Sequence, residues 1–286
     1  MNPKLTLALG ILCISFSPIL VKLADASPVV CGFYRLFFAW ICLLPYCLYK
    51  TNLKLARKDI ILALTGGVVF AADIAVWNLS LKLISATVST LLANLAPVWV
   101  GLLSYILFKK ISGSLFWIGT GIAIAGMVVL VGVTNLLHLQ INAGVLLALT
   151  ASLLYSTYIM ITKDILRRIS TIPFMFYNML GAWVFLLLIA AIMRDGLLHY
   201  NLKTWGSFAG MGLVCQLIGW ITINYSISRL DSAKVALTLL SQTVIAGFLA
   251  VLILNERLEM KEIIGSVIVL GGIGITFLKP RQINNL

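Results

Sequence analysis

The chain has 286 residues, of which 61% are hydrophobic and 10% charged, and its mean hydropathy is +1.07. Soluble domains carry about 45–50% apolar and about 25% charged residues, so a water-soluble interior is excluded and lipid must be the solvent. The net charge of +12 does not mark a nucleic-acid partner, because Lys and Arg sit mostly in short turns between apolar runs, where orientation signals belong.

Windows of about 20 apolar residues fit one bilayer crossing each. Ten are predicted, near 4–23, 29–49, 59–81, 86–108, 115–133, 143–163, 174–193, 204–226, 233–254 and 261–278. The first follows Lys4 and precedes Ala24-Asp25-Ala26, which faintly resembles a cleavage site. It is longer than a signal-peptide core, and a comparable run opens the second half, so it reads as a retained helix. The turns are short, which predicts that consecutive helices are antiparallel neighbours. Fourteen Lys and Arg fall on the side of both termini and six on the other, with Arg35 inside a span. The positive-inside rule then puts both termini in the cytoplasm, most simply across the cytoplasmic membrane. Cys13, Cys31, Cys42, Cys47 and Cys215 lie in apolar runs without metal-ligand spacing and read as small buried hydrophobes. His138 and His199 sit far apart in outer turns and read as solvated.

The second helix carries Arg35. The third carries Asp73 in "VVFAADIAVWNLSL", with Trp77 one turn further on the same face. Charges at such depth cost at least about 2.5–3.5 kcal/mol each, so they face a partner or a wet cavity. Counted from the outer ends of their helices, Arg35 and Asp73 differ in level by roughly 3 Å, which predicts an ion pair. That pair would serve packing, or a carboxylate that meets Arg in one state and apolar surface in another would release and take up a proton. In the fourth helix, Asn94 lies near the same level and Pro97 is expected to kink the helix around a cavity. Tyr155 and Tyr158 on the sixth helix are candidate substrate contacts or packed tyrosines. Gln216, Trp220 and Asn224 form a polar stripe on the eighth, and Gln242 with Thr238 a shorter one on the ninth. Each stripe is either interhelical glue or the lining of a path. Gly119, Gly121, Gly126 and Gly132 on the fifth helix and Gly265, Gly271, Gly272 and Gly274 on the tenth would permit close helix approach.

Sliding the chain on itself superposes Asn78 and Ser80 on Asn224 and Ser226. In the same register Gly101 and Leu103 meet Gly247 and Leu249, and Gly119 and Gly126 meet Gly265 and Gly272, all at a shift of 146. Earlier in the halves Lys22 pairs best with Lys163 and Pro28 with Pro173, implying small indels. Five helices per copy is an odd number, so the second copy enters the membrane from the opposite side. The fold class expected is an all-α integral membrane protein of ten transmembrane helices in two inverted five-helix repeats, residues 1–133 and 143–280. Inverted repeats around a midplane site are the architecture of secondary transporters.

The stretches "ANLAPVWVGLLSYILFKKISGSLFWIGTGIAIAG" and "LSQTVIAGFLAVLILNERLEMKEIIGSVIVLGG" resemble the two copies of the EamA repeat of the drug/metabolite transporter superfamily, and the likeness covers essentially the whole chain. Pro97 matches the family proline of the fourth helix, while Lys110 stands where the family has Glu. In the second copy Glu256 matches and Thr243 replaces the proline. Arg35 in "FYRLFFAW" matches an Arg often found in the second helix of the first repeat. The resemblance implies ten helices and export or exchange of small metabolites.

The function expected is therefore a secondary active transporter, an exporter or exchanger of small organic metabolites such as amino acids or related compounds. It would alternate access around a midplane cavity lined by Arg35, Asp73, Trp77, Asn94, Tyr155, Tyr158, Gln216, Trp220 and Gln242, with Pro97 as hinge. No cofactor, no metal and no nucleic acid is expected; the partners are a small-molecule substrate and the lipid bilayer, and oligomeric state is left open. A membrane-embedded enzyme and a non-catalytic membrane scaffold are the alternatives. No P-loop and no H-E-x-x-H occurs, and no paired carboxylates fall within the spans, which argues against ATP-driven transport and against catalysis.

Overall fold

In lipid every backbone polar group must be satisfied within the segment, which leaves the helix as the natural form for such runs. The computed structural model describes residues 2–84, 89, 92–109, 112–131, 142–254 and 259–278, and the regular structure among them is all helical. Lys110, Gly132, His138 and Glu256, singled out above, lie outside the described residues. The helices are α1 (Pro3–Ser15), α2 (Ser17–Leu23), α3 (Pro28–Lys50), α4 (Arg57–Leu83), α5 (Ala96–Phe108), α6 (Ser114–Val131), α7 (Ala143–Ile165) and α8 (Thr171–Met193). They continue as α9 (Leu202–Gly210), a π-helical segment (Met211–Gly219), α10 (Trp220–Arg229), α11 (Ser232–Thr238), α12 (Ser241–Leu254) and α13 (Met260–Ile275). Seven stretches are long and apolar enough to cross a membrane: Pro3–Leu23, Pro28–Lys50, Arg57–Ser80, Ala143–Ile165, Thr171–Met193, Leu202–Arg229 and Ser232–Ile253. Shorter apolar helices cover Ala96–Leu107 and Ser114–Leu130. The chain is a multi-pass integral membrane protein.

Helix starts follow capping chemistry. The side chains of Ser27, Asn142 and Asn201 accept from the backbone N–H of Val30, Val145 and Thr204. Pro28 follows its cap directly, in the first turn, where a missing N–H costs nothing. Three spans expected to be continuous are broken. The first breaks at Phe16, ahead of Ser17-Pro18, and the ninth at Leu239–Leu240 between α11 and α12. In the fourth, the turn Asn94–Leu95 ends the preceding helical residues and α5 begins at Ala96. Pro97 is thus no mid-helix kink. It sits in the first turn of α5, and the break lies just before it.

Sequential neighbours are not always the main spatial ones. α3 packs chiefly on α8 and the π segment rather than on α4, while α4 packs on α7 and α8. α1 lies against the π segment, α10 and α12; α5 lies on α7, and α6 on α13. Among the glycines, some let helices touch and others do not. A Cβ at Gly119 would lie 2.5 Å from Gly272 O, one at Gly126 2.9 Å from Gly265 O, one at Gly265 2.5 Å from Leu130 N and one at Gly272 2.6 Å from Gly119 O. Gly121, Gly271 and Gly274 have nothing within 4 Å of such an atom, so the expectation of close approach fails for these three. Gly67 is tighter still: its Cβ would fall 1.9 Å from the Asn178 carbonyl oxygen, so only glycine lets α4 meet α8 there.

The two ends of the bundle are laced separately. At the end bearing the Lys50–Lys58 turn, Arg168 pairs with Asp59 at 3.1 Å and Asp164 at 3.0 Å, and Lys163 Nζ donates to the carbonyls of Ile227 and Leu230, each at 2.7 Å. At the opposite end Ser27 donates to Asp195 at 2.7 Å and Tyr34 to Leu197 O at 2.5 Å. Tyr34 there joins an aromatic cluster with Trp205, Phe208 and Tyr200. His199 is exposed in this region.

Candidate functional site

Arg35 enters from α3 seven residues past Pro28, deep within the bundle, and keeps part of its surface open. Its Nε donates to Gln216 Oε1 at 2.9 Å and its Nη1 to Ser17 Oγ at 3.1 Å. Both acceptors are neutral. Gln216 is 1% exposed and stands in the π segment, and Ser17 opens α2 directly after the break at Phe16. A broken helix and a π-helical stretch thus converge on one guanidinium, from which five N–H donors are available. No described bond reaches Nη2.

Asp73 on α4 is likewise deep in the bundle yet partly open. Among the described residues it makes no hydrogen bond and no ion pair. The expected Arg35–Asp73 ion pair is therefore absent. The reason is azimuth: equal depth brings two side chains together only if their helices pack face to face, and α3 turns Arg35 toward the π segment and α2 instead. Tyr155 on α7 is also partly open. Arg35, Asp73 and Tyr155 are thus interior side chains that keep part of their surface accessible.

The surrounding packing is aromatic. Phe70, one turn before Asp73 on α4, has its ring 4.8 Å from Tyr158 and 4.8 Å from Trp220. Tyr158 and Trp220 are 5.5 Å apart, and Tyr155 meets Trp220 edge to face at 6.2 Å. The indole N–H groups of Trp220 and Trp77 are buried without a partner among the described residues. An orphaned buried donor calls for an acceptor. Tyr158, 1% exposed, has its hydroxyl against Asn224: Asn224 Nδ2 donates to it at 3.1 Å and also reaches Met175 Sδ at 2.8 Å. That hydroxyl is engaged in packing rather than waiting for a ligand.

The structure brings Arg35 onto Gln216, and Tyr155, Tyr158 and Trp220 into one aromatic cluster with Phe70; Asp73 stands one turn past Phe70 on α4. Trp77 stands one turn past Asp73 on the same helix. Asn94 and Gln242 are half-buried next to the breaks in their spans, and no described bond links either side chain to the Arg35 group. Sequence reasoning missed Ser17, Phe70 and the π segment. The Ser17-Pro18 dipeptide inside an apolar run is a readable signal for the first. Phe70 shares the Asp73–Trp77 face and can be found by helical spacing.

The sequence model of the EamA-like transporter family matches residues 3–132 and 142–278. An uncharacterized transporter of Bacillus subtilis, YdfC, is 24% identical over 284 residues, covering 98% of this chain and 92% of that protein. An uncharacterized transporter of Archaeoglobus fulgidus is 25% identical over 300 residues, covering 99% of this chain and all of the other. A protein of Streptantibioticus cattleyicolor named "Probable terminal-alkyne amino-acid exporter" is 24% identical over 218 residues, 76% of this chain and 73% of that one. A solved crystal structure shares the fold with a TM-score of 0.82 at 16% identity, over 97% of this chain and 98% of its own. With its helices, its intramembrane charges and both stretches of family similarity in view, the chain belongs to the EamA-like transporter family.

Proposed function

We propose that the protein is a secondary active transporter, exporting or exchanging small organic metabolites such as amino acids or related compounds, and not an enzyme. It has ten transmembrane helices in two inverted five-helix repeats, residues 1–133 and 143–280, and alternates access around a midplane cavity at Arg35. The observation that carries the reading is that the packing maps onto itself when the halves are exchanged. The α4–α7 contact becomes α1–α10, α4–α8 becomes α3–π segment, and α5–α7 becomes α1–α12; α3–α8 and α6–α13 map onto themselves. The glycine seam obeys the same rule. Gly119 meets Gly272 and Gly126 meets Gly265, and a shift of 146 turns each pair into the other. Such self-exchange is the mark of a two-fold relation, and two matched halves around a central site are what rocking transport requires.

The ends of the spans support the orientation. Asp59, Lys163 and Arg168 gather at one end and Ser27 and Asp195 at the other, as alternating crossings demand. The basic end is the cytoplasmic one, with both termini there. The cavity side chains are Arg35, Asp73, Tyr155, Gln216 and Trp220, with Tyr158 as wall; Trp77, Asn94 and Gln242 line the route to it. The breaks at Asn94–Leu95 and Leu239–Leu240, at matched places in the two halves, act as hinges.

The test is transport by purified protein in liposomes, using a fractionated cell extract as the internal solute pool. Release of one compound class by the wild type, at least tenfold reduced in Arg35→Gln, is expected. Retention of every compound, by protein shown to be folded and inserted, refutes the reading.

A further inference from the structure

At the basic end of the bundle a cavity of about 320 Å³ lies between α5, α7 and the junction of α10 with α11. Its walls carry the cations Lys163, Arg167 and Arg229, the carboxylate of Asp231, and the hydroxyls of Ser104 and Ser232. Three cations against one carboxylate leave two positive charges in excess. Like charges around one cavity repel each other, more strongly as their surroundings become less polar than water. The orientation rule asks for Lys and Arg in the turns at this end, not that three of them share a cavity. These side chains are also set in place by the fold itself. Lys163 Nζ donates to Ile227 O and Leu230 O, each at 2.7 Å, which anchors it to the end of α10. Arg229 has its Cζ 3.7 Å from the centre of the Tyr225 ring, and its Nη1 donates to Tyr225 O at 3.2 Å and to Ser228 Oγ at 2.7 Å. Its Nε and Nη2 make no bond among the described residues. Asp231 Oδ1 accepts from the backbone N–H of Ala233 and Lys234, which turns that oxygen toward α11.

We infer that this cavity is a binding site for a phosphate monoester, carried by a soluble metabolite or by a lipid headgroup. The site goes beyond the transport reading and does not depend on it. A phosphate monoester bears a charge of about −1.5 to −2 at pH 7, which matches the excess, whereas a single carboxylate leaves half of it standing. Guanidinium forks grip phosphate oxygens two at a time, and a lysine adds a point charge. The buried hydroxyls of Ser104 and Ser232 are further donors on the same walls. Pockets for small organic ligands run to about 300–1,000 Å³, so this one suits a molecule of headgroup size. Its level fits as well. Lys163 stands roughly 3 Å inside the Ile165 end of α7, and Arg167 and Arg229 are exposed where the spans end. Basic pockets between membrane helices at such a level are suited to phosphate headgroups. A bound phosphate would tie α7 to the α10–α11 junction through Arg167 and Arg229.

The experiment follows thermal unfolding of the full chain in detergent, at matched ionic strength, with two phosphates and a control for each. Glycerol 3-phosphate is set against succinate, which has two negative charges and no phosphate. Dioctanoyl phosphatidic acid is set against dioctanoyl phosphatidylcholine, which has the same chains and no net charge. At least one phosphate is expected to raise the midpoint by about 3 °C or more, and each control to leave it within about 1 °C. A rise with glycerol 3-phosphate alone assigns a soluble ligand, and one with phosphatidic acid alone a lipid. The double variant Arg167→Gln, Arg229→Gln is expected to lose the rise. The double variant Lys54→Gln, Lys58→Gln removes the same charge from exposed side chains at the same end, outside the cavity, and is expected to keep it. Arg167→Gln alone, expected to lose about half of the rise, replaces the arginine pair if that pair does not fold. The inference is overturned if neither phosphate raises the midpoint, or if the controls raise it equally. It also falls if the folded arginine variants keep the full rise, or if the lysine pair loses as much as they do.

Discussion

Replacing Gly272 with alanine tests the symmetric seam directly. The added Cβ would lie 2.6 Å from Gly119 O and 2.6 Å from Ala123 N, both backbone atoms that cannot swing aside. Ordinary contact begins at 3.4 Å, so α6 and α13 must part by about 0.8 Å. A gap of that size forfeits a quarter to a half of each dispersion contact along the seam, and overpacking of this kind costs about 1–3 kcal/mol. For a chain of this size that is a fall of roughly 2–10 °C in melting temperature. Gly119→Ala, Gly126→Ala and Gly265→Ala meet backbone at 2.5–2.6 Å and should cost the same. Gly121→Ala, Gly271→Ala and Gly274→Ala, with nothing within 4 Å, should stay within about 0.5 kcal/mol of the wild type. Thermal unfolding of the seven variants in one detergent settles it. Equal losses in both sets would sink the seam, and a loss confined to one half would sink its two-fold character.

Gln216→Leu removes the acceptor of Arg35 Nε while keeping the volume, and hydrogen bonds to charged groups contribute about 1.5–3 kcal/mol. Transport should fall at least tenfold while insertion and yield hold; unchanged rates would show that Arg35 needs no such clamp. Arg168, held further in its charged form by Asp59 and then Asp164, is 40% exposed. Exposed pairs of this kind are worth about 0–1 kcal/mol and are screened by salt, so Arg168→Ala should cost at most about 1 kcal/mol in unfolding experiments, with less effect at high salt. A loss of several kcal/mol would contradict that.

The membrane spans are legible in the sequence because lipid leaves the chain so little choice: seven described spans begin and end within about three residues of the apolar windows. Arg35, Gln216 and Asp73 are legible for the same reason, since polar side chains at depth stand out. Their partners are not. Rise per residue gives the depth of Arg35 and Asp73 but not the direction each faces, and the assumption that successive helices are mutual neighbours misdirects the pairing. Packing of α3 on α8 and the π segment is a property of the assembled bundle that no single helix encodes. Ser17 stays hidden as long as the first apolar run is taken as unbroken, although Pro18 announces a helix start. Pro97 reads as a mid-helix residue because the run around it is apolar throughout, whereas a proline is just as much at home in a first turn.

The π segment also bears on how the two halves differ. Under the proposed repeat, α3 and α8 align at Pro28 and Pro173, a shift of 145, and α4 begins at Arg57 where α9 begins at Leu202, again 145. By Asn78 and Asn224 the shift has become 146. Under that repeat the two copies differ by one residue along this helix, and a wider helical turn is how a helix accommodates an extra residue without a loop. The difference falls on the stretch that carries Gln216, the side chain that holds Arg35. A one-residue mismatch between the proposed halves thus gives a two-fold scaffold a preferred face.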